Sequence, residues 1–208
     1  HMTDTIKKFS YSFIDRNSVV MLLEELKKSH PAVVKDVYPD VLTINEIEAV
    51  FKNLAKEHVS IRDSVTIFEA MGDYAQITKD PDVLTEYVRQ GLCRQICRQY
   101  GGIEGKIKAL TIEPDTEKTI ENSVVRTETA SFINIDIEFG QNFISQIAEE
   151  VAGLKEKGIQ PLIITSPSIR AYVKRLTHKA CPDLAVISYN ELAPGADVIA
   201  IGMVKAVF

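Results

Sequence analysis

The chain has 208 residues, 45% hydrophobic and 25% charged, with 24 Lys and Arg against 29 Asp and Glu. A chain of this length buries roughly 70% of its unfolded surface, so it needs no staples, and its apolar fraction excludes disorder. A formal net charge of −5 argues against a dedicated nucleic-acid binder, which carries a strongly basic face.

No apolar run approaches the roughly 18 residues needed to cross a bilayer, and nothing resembles a signal peptide. The order His1-Met2 predicts that residues 1–2 are a cloning scar on an excised fragment. The three cysteines, Cys93, Cys97 and Cys181, form no disulfide framework and suit a reducing compartment.

Helix signals fill the first half. Behind Asp15, the positions Val19, Leu22, Leu23 and Leu26 make one apolar face that ends near Ser29-His30-Pro31. Pro31 opens a short helix through Val37, closed by Pro39. Thr43-Ile44-Asn45-Glu46 has capping-box spacing, and Ser60-Ile61-Arg62-Asp63 repeats the device with an acid at the third position. Asp80-Pro81 is an N-cap followed by proline, from which one helix runs to a stop at Gly101-Gly102. The apolar stripes of these helices are core positions.

Glycine is sparse before residue 100 and frequent after it, and the grammar changes with it. Ile107–Ile112 reads as a strand, Asp115–Val125 as a helix, Phe132–Ile137 as a strand and Asn142–Lys157 as a helix stopped by Gly158. Pro161–Thr165 is a short apolar run suited to a buried parallel strand. Ser166 then caps a helix through Leu176, and Leu184–Ser188 and Val198–Val204 are the last strands. The expected fold is α+β to α/β, with an all-helical subdomain over 3–104 and a small, mostly parallel α/β subdomain over 105–208.

Catalytic templates fail. There is no phosphate loop, dinucleotide fingerprint or nucleophile elbow, and Gly101-Gly102-Ile103-Glu104-Gly105-Lys106 has the wrong spacing for the first of these. Cys93 and Cys97 share a helix face, but no His or Cys spacing completes a metal site, so they read as structural thiols. The turn Thr165-Ser166-Pro167-Ser168-Ile169-Arg170 joins a strand to a helix N-terminus, a place that can hold an anion or simply cap the helix. Arg94 and Arg98 are neighbours at i,i+4 and make either a solvated face or a subunit contact.

One set of motifs is more specific. Val59-Ser60-Ile61-Arg62-Asp63, Ile67-Phe68-Glu69-Ala70, Thr78-Lys79-Asp80-Pro81, Leu84-Thr85-Glu86-Tyr87-Val88-Arg89-Gln90 and Arg94-Gln95-Ile96 occur in order. Leu162-Ile163-Ile164-Thr165-Ser166-Pro167, Ile169-Arg170, Val186-Ile187-Ser188-Tyr189-Asn190-Glu191-Leu192 and Gly202 follow. This set, covering most of residues 15–204, resembles the C-terminal cytoplasmic region of the FlhA/InvA (FHIPEP) family, the export-gate subunit of flagellar and virulence type III secretion systems. Lys79-Asp80-Pro81 with Arg89-Gln90 is more similar to the flagellar branch.

The resemblance implies the last two of four cytoplasmic subdomains, a helical third and an α/β fourth. It also implies a full-length protein in the bacterial inner membrane, this part lying on the cytoplasmic side. Implied partners are other copies in a nonameric ring, the switch protein FlhB, the ATPase complex and export chaperone–substrate complexes. The main chaperone-docking cleft of the family lies outside these residues. No catalytic residue, cofactor, metal or nucleic acid is implied. The matching motif marks Arg62, Asp63, Arg89, Gln90 and Arg94 as candidates for ring or intersubdomain contacts. Capping by Ser60 and Asp63, and pairing of Arg89 inside its own domain, are the alternatives for the same positions. Two other functions stay open: an α/β nucleotide- or anion-binding module or enzyme built on Thr165–Arg170, and a helical adaptor unrelated to secretion.

Overall fold

The computed structural model describes residues 14–102, 105–126 and 131–206, so the expected scar at His1-Met2 and part of the expected Gly101–Gly105 boundary lie outside the described residues. The chain divides into two compact units, His1–Ile96 and Cys97–Phe208.

The first unit is helical. Asp15 caps α1 (Arg16–Ser29) by accepting the Ser18 N–H at 2.8 Å, and Val19, Leu23 and Leu26 are buried on one face. Helix α2 (Pro31–Lys35) stops two residues short of the expected Val37. Helix α3 (Ile44–Lys56) has both capping-box bonds: Thr43 N–H donates to Glu46 Oε2 at 2.6 Å, and Glu46 N–H to Thr43 Oγ1 at 3.3 Å. Its other end closes with His58 N–H on Ala55 O and Val59 N–H on Leu54 O, a Schellman pair. His58 there takes φ 59°, a conformation that usually selects glycine.

Helix α4 (Ser64–Tyr74) begins later than Ser60-Ile61-Arg62-Asp63 suggests. Asp63 is the N-cap and accepts the Thr66 N–H at 3.2 Å, so Ser60 lies outside the helix. Helix α5 (Pro81–Gly91) starts as expected, with the Asp80 carboxylate on the Asp82 N–H at 2.9 Å. It packs against both α3 and α4 and forms the middle of the unit. The single expected helix to Gly101 is in fact two, because α5 ends at Gly91 and α6 (Cys93–Gly101) begins after Leu92. Gly91 faces α4, where a Cβ would lie 3.5 Å from Ala70 Cβ and 3.6 Å from Thr66 Cγ2.

The second unit is built on a four-stranded sheet in the order β5-β4-β1-β6, formed by β1 (Lys106–Ile112), β4 (Leu162–Thr165), β5 (Ala185–Ser188) and β6 (Asp197–Val204). Its strand pairs are all parallel. The expectation of a small parallel sheet holds. All four residues of β4 are buried, as its unbroken apolar sequence requires. Between β1 and β4 run α7 (Pro114–Asn122), a hairpin of β2 (Val124–Arg126) and β3 (Ser131–Ile133), and α8 (Ile137–Glu156).

Three boundaries differ from expectation here. The helix expected to Val125 stops at Asn122, and β-branched Val124 and Val125 pair with Ile133 and Phe132 instead. The strand expected to Ile137 ends at Ile133. Helix α8 begins five residues before Asn142, since Asp136 caps it on the Phe139 N–H at 3.0 Å. Phe139, Phe143, Ile147, Val151 and Leu154 of α8 pack with Leu110, Ile112, Ile163, Val173 and Val186 in the core.

Between β1 and β6 the register slips: Ala109 faces Ala200, but Leu110 faces Gly202, which leaves Ile201 as an extra residue. A Cβ on Gly202 would sit 2.8 Å from Leu110 Cδ2, so glycine is what lets the two strands close after the bulge.

Candidate functional site

The five candidate residues come from the loop before α4 and from the end of α5 into α6. Arg62 is exposed and Asp63 is exposed while capping α4; its second carboxylate oxygen also accepts Thr66 Oγ1 at 2.9 Å. Arg94 is exposed on α6, and Gln90 is half-buried. The next residue after Arg94 ties the two segments together, because the Gln95 side-chain amide donates to Ser60 O at 2.8 Å. That bond brings the backbone carrying Arg62 beside the helix carrying Arg94. Arg62 and Arg94 are thus both solvent-facing, on segments that this bond holds together, with exposed Asp63 next to Arg62.

Arg89 does not belong to this surface. It is 2% exposed, and its Nη1 lies 3.3 Å from Glu57 Oε2, which is the pairing inside its own unit that the sequence offered as the alternative for this position. The physical reason is position. Glu57 is the C-cap of α3, where a carboxylate faces the negative end of the helix dipole, and the guanidinium compensates it. The long apolar stem of arginine makes such burial tolerable among Leu84, Val88 and the rest of the α5 face.

The turn Thr165–Arg170 is also already occupied. The Glu117 carboxylate of α7 accepts Thr165 Oγ1 at 2.6 Å, Ser166 N–H at 3.0 Å and Ser166 Oγ at 2.9 Å. Ser166 is therefore not the helix cap expected for it. Its carbonyl accepts the N–H groups of Ile169 and Arg170, and α9 (Arg170–Thr177) starts behind Ile169. Burial, aided by the Glu117 charge, pushes the Tyr189 phenol above its ordinary pKa. Arg170 cannot reach an external anion: it is 1% exposed, donates Nη1 to Val186 O at 3.2 Å and lies 3.9 Å from Glu191 Oε1. Glu191 closes the same cluster by accepting the Ser188 N–H and Oγ at 3.0 Å each.

The sulfur of Cys97 likewise serves the fold, donating to Glu191 O at 3.5 Å and accepting the Ala193 N–H at 3.2 Å. Among the described residues no group of His, Cys, Asp and Glu is placed to hold a metal ion. Sequence reasoning missed Glu57, Glu117 and Glu191 as partners. Glu191 shares the recognised motifs with Arg170, which was the one available signal; Glu57 and Glu117 lie outside them, and separations of 32, 48 and 21 residues from Arg89, Thr165 and Arg170 leave no local pattern.

The geometry thus divides the characteristic residues into an interior set and an exposed basic pair. A profile of the FHIPEP family matches residues 1–197. The chain belongs to the FHIPEP family. It is 37% identical over 204 residues to "Flagellar biosynthesis protein FlhA" of Bacillus subtilis, covering 98% of this chain and 30% of that protein. The corresponding protein of Borreliella burgdorferi is 35% identical over 192 residues, covering 92% of this chain and 27% of that one. The chain thus spans less than a third of the length of these FHIPEP relatives. In structure it is similar to the Chlamydia pneumoniae CdsV protein, with a TM-score of 0.87 at 28% identity, covering 98% of this chain and 58% of that one. A nonameric SctV-C from EPEC is similar at a TM-score of 0.79 and 26% identity, covering 98% and 61%. No helix among the described residues is long and apolar enough to cross a membrane.

Proposed function

We propose that this FHIPEP chain is the C-terminal cytoplasmic part of a type III protein-export gate of the flagellar branch, acting in ring assembly and in docking of export components. In this reading residues 3–104 are the third cytoplasmic subdomain and residues 105–208 the fourth. Its partners are further copies in a nonameric ring, the switch protein FlhB, the ATPase complex and chaperone–substrate complexes. The full-length protein sits in the bacterial inner membrane with this part on the cytoplasmic side. The observation that supports the reading most is the family match together with fold similarity to a protein solved as a nonamer. CdsV has also been solved in complex with CdsO, which supports a partner-docking role.

Within that reading, exposed Arg62 and Arg94 are the ring-contact residues, with Gln90 beside them and Asp63 holding the loop that carries Arg62. Arg89 acts from inside, by fixing α5 against the end of α3. The test is charge reversal, Arg62→Glu and Arg94→Glu, in the full-length gate and in this chain. Ring assembly and secretion fall while the melting temperature of the 208-residue chain stays within a few degrees. A large loss of thermal stability instead would assign both residues to the fold.

The anion-binding alternative rested on Thr165–Arg170. The Thr165 and Ser166 donors of that turn are bonded to Glu117, and Arg170 is turned to Val186 and Glu191, so the groups that would have held an anion are engaged inside the fold.

A further inference from the structure

Gly91 of α5 lies against Thr66 and Ala70 of α4, while Tyr87 stacks on Tyr74, so the two helices run antiparallel. The two ends of this pair differ in chemistry. Where α5 closes and α4 begins, the sequence from Arg89 to Ile103 has three arginines and no acid. Arg94 is exposed there, and exposed Arg62 stands on the loop that the Gln95 amide holds through Ser60 O. Asp63, beside Arg62, commits its carboxylate to the Thr66 N–H and hydroxyl at the positive end of the α4 dipole.

The other end is apolar and acidic. Tyr74, the last residue of α4, stacks on Tyr87 with ring centroids 4.0 Å apart and planes 8° apart. Val83, one turn before Tyr87 on α5, is 38% exposed, and Ile77, whose N–H donates to Tyr74 O, is 71% exposed. From Ser64 to Val88 the sequence has five acids and one base, Lys79, whose charge acts on Glu46. Helix α4 has no Lys or Arg, and exposed Glu69 and Asp73 stand one turn apart on it as like charges. Asp73 lies in its last turn, where the helix dipole is already negative. Among the described residues no ion pair relieves either carboxylate. An uncovered aromatic and aliphatic surface with unrelieved charge beside it is suited to a partner that brings cations.

Arg62 precedes α4 and Asp73 lies near its far end, roughly 16 Å away along the helix, so one copy cannot bring the two together. We propose that the aromatic and acidic end of the α4–α5 pair docks on the basic end of a second copy of this chain, where Arg62 and Arg94 meet Glu69, Asp73 and the Tyr74–Tyr87 stack. Each copy offers both ends, so the contact is head-to-tail and repeats in one direction, as a ring requires and a self-complementary contact does not. Arginine and tyrosine are also the side chains on which protein interfaces most depend. The proposal rests on the ring reading above and adds the surface that receives Arg62 and Arg94.

Negative-stain electron microscopy and cross-linking of the detergent-solubilised full-length gate test this contact. The variants are Asp73→Lys, Ile77→Lys, the pair Arg62→Glu with Arg94→Glu, and a fourfold exchange that combines this pair with Glu69→Lys and Asp73→Lys. Asp73→Lys sets a cation against the basic end and lowers the ring fraction on the order of tenfold. The 208-residue chain carrying it melts no lower than the parent, because lysine suits the last turn of α4 and pairs with Glu69. Ile77→Lys acts likewise from its exposed site. The fourfold exchange restores opposite charges across the contact and recovers the ring. Rings lost on Arg62→Glu with Arg94→Glu but unmoved by Asp73→Lys and Ile77→Lys overturn this contact and leave the ring reading standing. A parent gate without rings overturns both. A fourfold exchange that fails to recover, or a loss of rings matched by a fall in melting temperature, also overturns the proposal.

Discussion

Removing the Arg89 guanidinium tests the division between interior and surface arginines most directly. In Arg89→Ala, the Glu57 carboxylate keeps its place at the C-terminal end of α3 and loses the cation 3.3 Å away. Breaking a buried pair from one side costs about 3–5 kcal/mol. Glu57 is 18% exposed, so water recovers part of its solvation and the lower end, about 3 kcal/mol, applies. For a chain of about 200 residues each kcal/mol moves the melting temperature by roughly 2–4 °C, which gives a fall of roughly 6–12 °C. If the helical unit melts separately, the drop is confined to its transition and is larger. Differential scanning calorimetry measures both, with Arg62→Ala and Arg94→Ala as exposed controls expected within about 0.5 kcal/mol of the parent. Arg89→Met with Glu57→Leu, which removes both charges and fills the space, recovers a substantial share of the loss. A melting temperature for Arg89→Ala within 2 °C or so of the parent refutes the buried pairing.

Gly202→Ala drives a methyl against the buried Leu110 side chain and costs about 1–3 kcal/mol, read from denaturant midpoints. Gly91→Ala goes the other way, because its neighbours at 3.5 and 3.6 Å accept a methyl at ordinary contact and the helix gains about 0.5–1 kcal/mol. Cys181 is the slowest of the three thiols toward iodoacetamide, since burial pushes its pKa up and shields it, whereas Cys93 and Cys97 are half-buried; peptide mass spectrometry gives the order. The Thr43 backbone bond holds the Glu46 carboxyl below its usual 4.5, with desolvation opposing it. Its folded value is thus depressed, so its contribution is full above the unfolded pKa and lost as pH falls through the folded one. Glu46→Gln accordingly destabilises at neutral pH and converges on the parent as pH falls through the folded pKa of Glu46, read from urea titrations over a pH series.

Much of the architecture was legible because its signals are local. Asp15, Thr43 and Asp80 announce their helices within three residues, and Pro161–Thr165 shows by its unbroken apolar run that it is covered on both faces. Failures arose where a distant contact outweighed the local pattern. Ser166-Pro167 looks like a cap, but the serine is taken by Glu117, 49 residues away. Ser60 has capping-box spacing, yet Asp63 offers a stronger acceptor three residues nearer the helix. The split at Leu92 follows from Gly91, a weak helix former, although its sequence alone could be carried inside a longer helix. For the candidate site, Arg62, Arg89 and Arg94 are the same residue type in helical or capping context, and only the α3 terminus behind Arg89 separates one from the other two. The burial of arginine is too uncommon to be read without its partner.

The sheet order has a consequence in time. Strand β1 lies between β4 and β6, and its bond from Thr111 to Gly202 spans 91 residues. A ribosome makes β1 long before β6, so the nascent unit holds β1 against β4 with its other edge open until the final strand emerges. Long-range parallel pairing is slow to form. The helical unit, joined by shorter-range packing, is complete by then. The second unit therefore passes the interval between the synthesis of β4 and that of β6 with an apolar strand edge exposed to chaperones and to neighbouring chains.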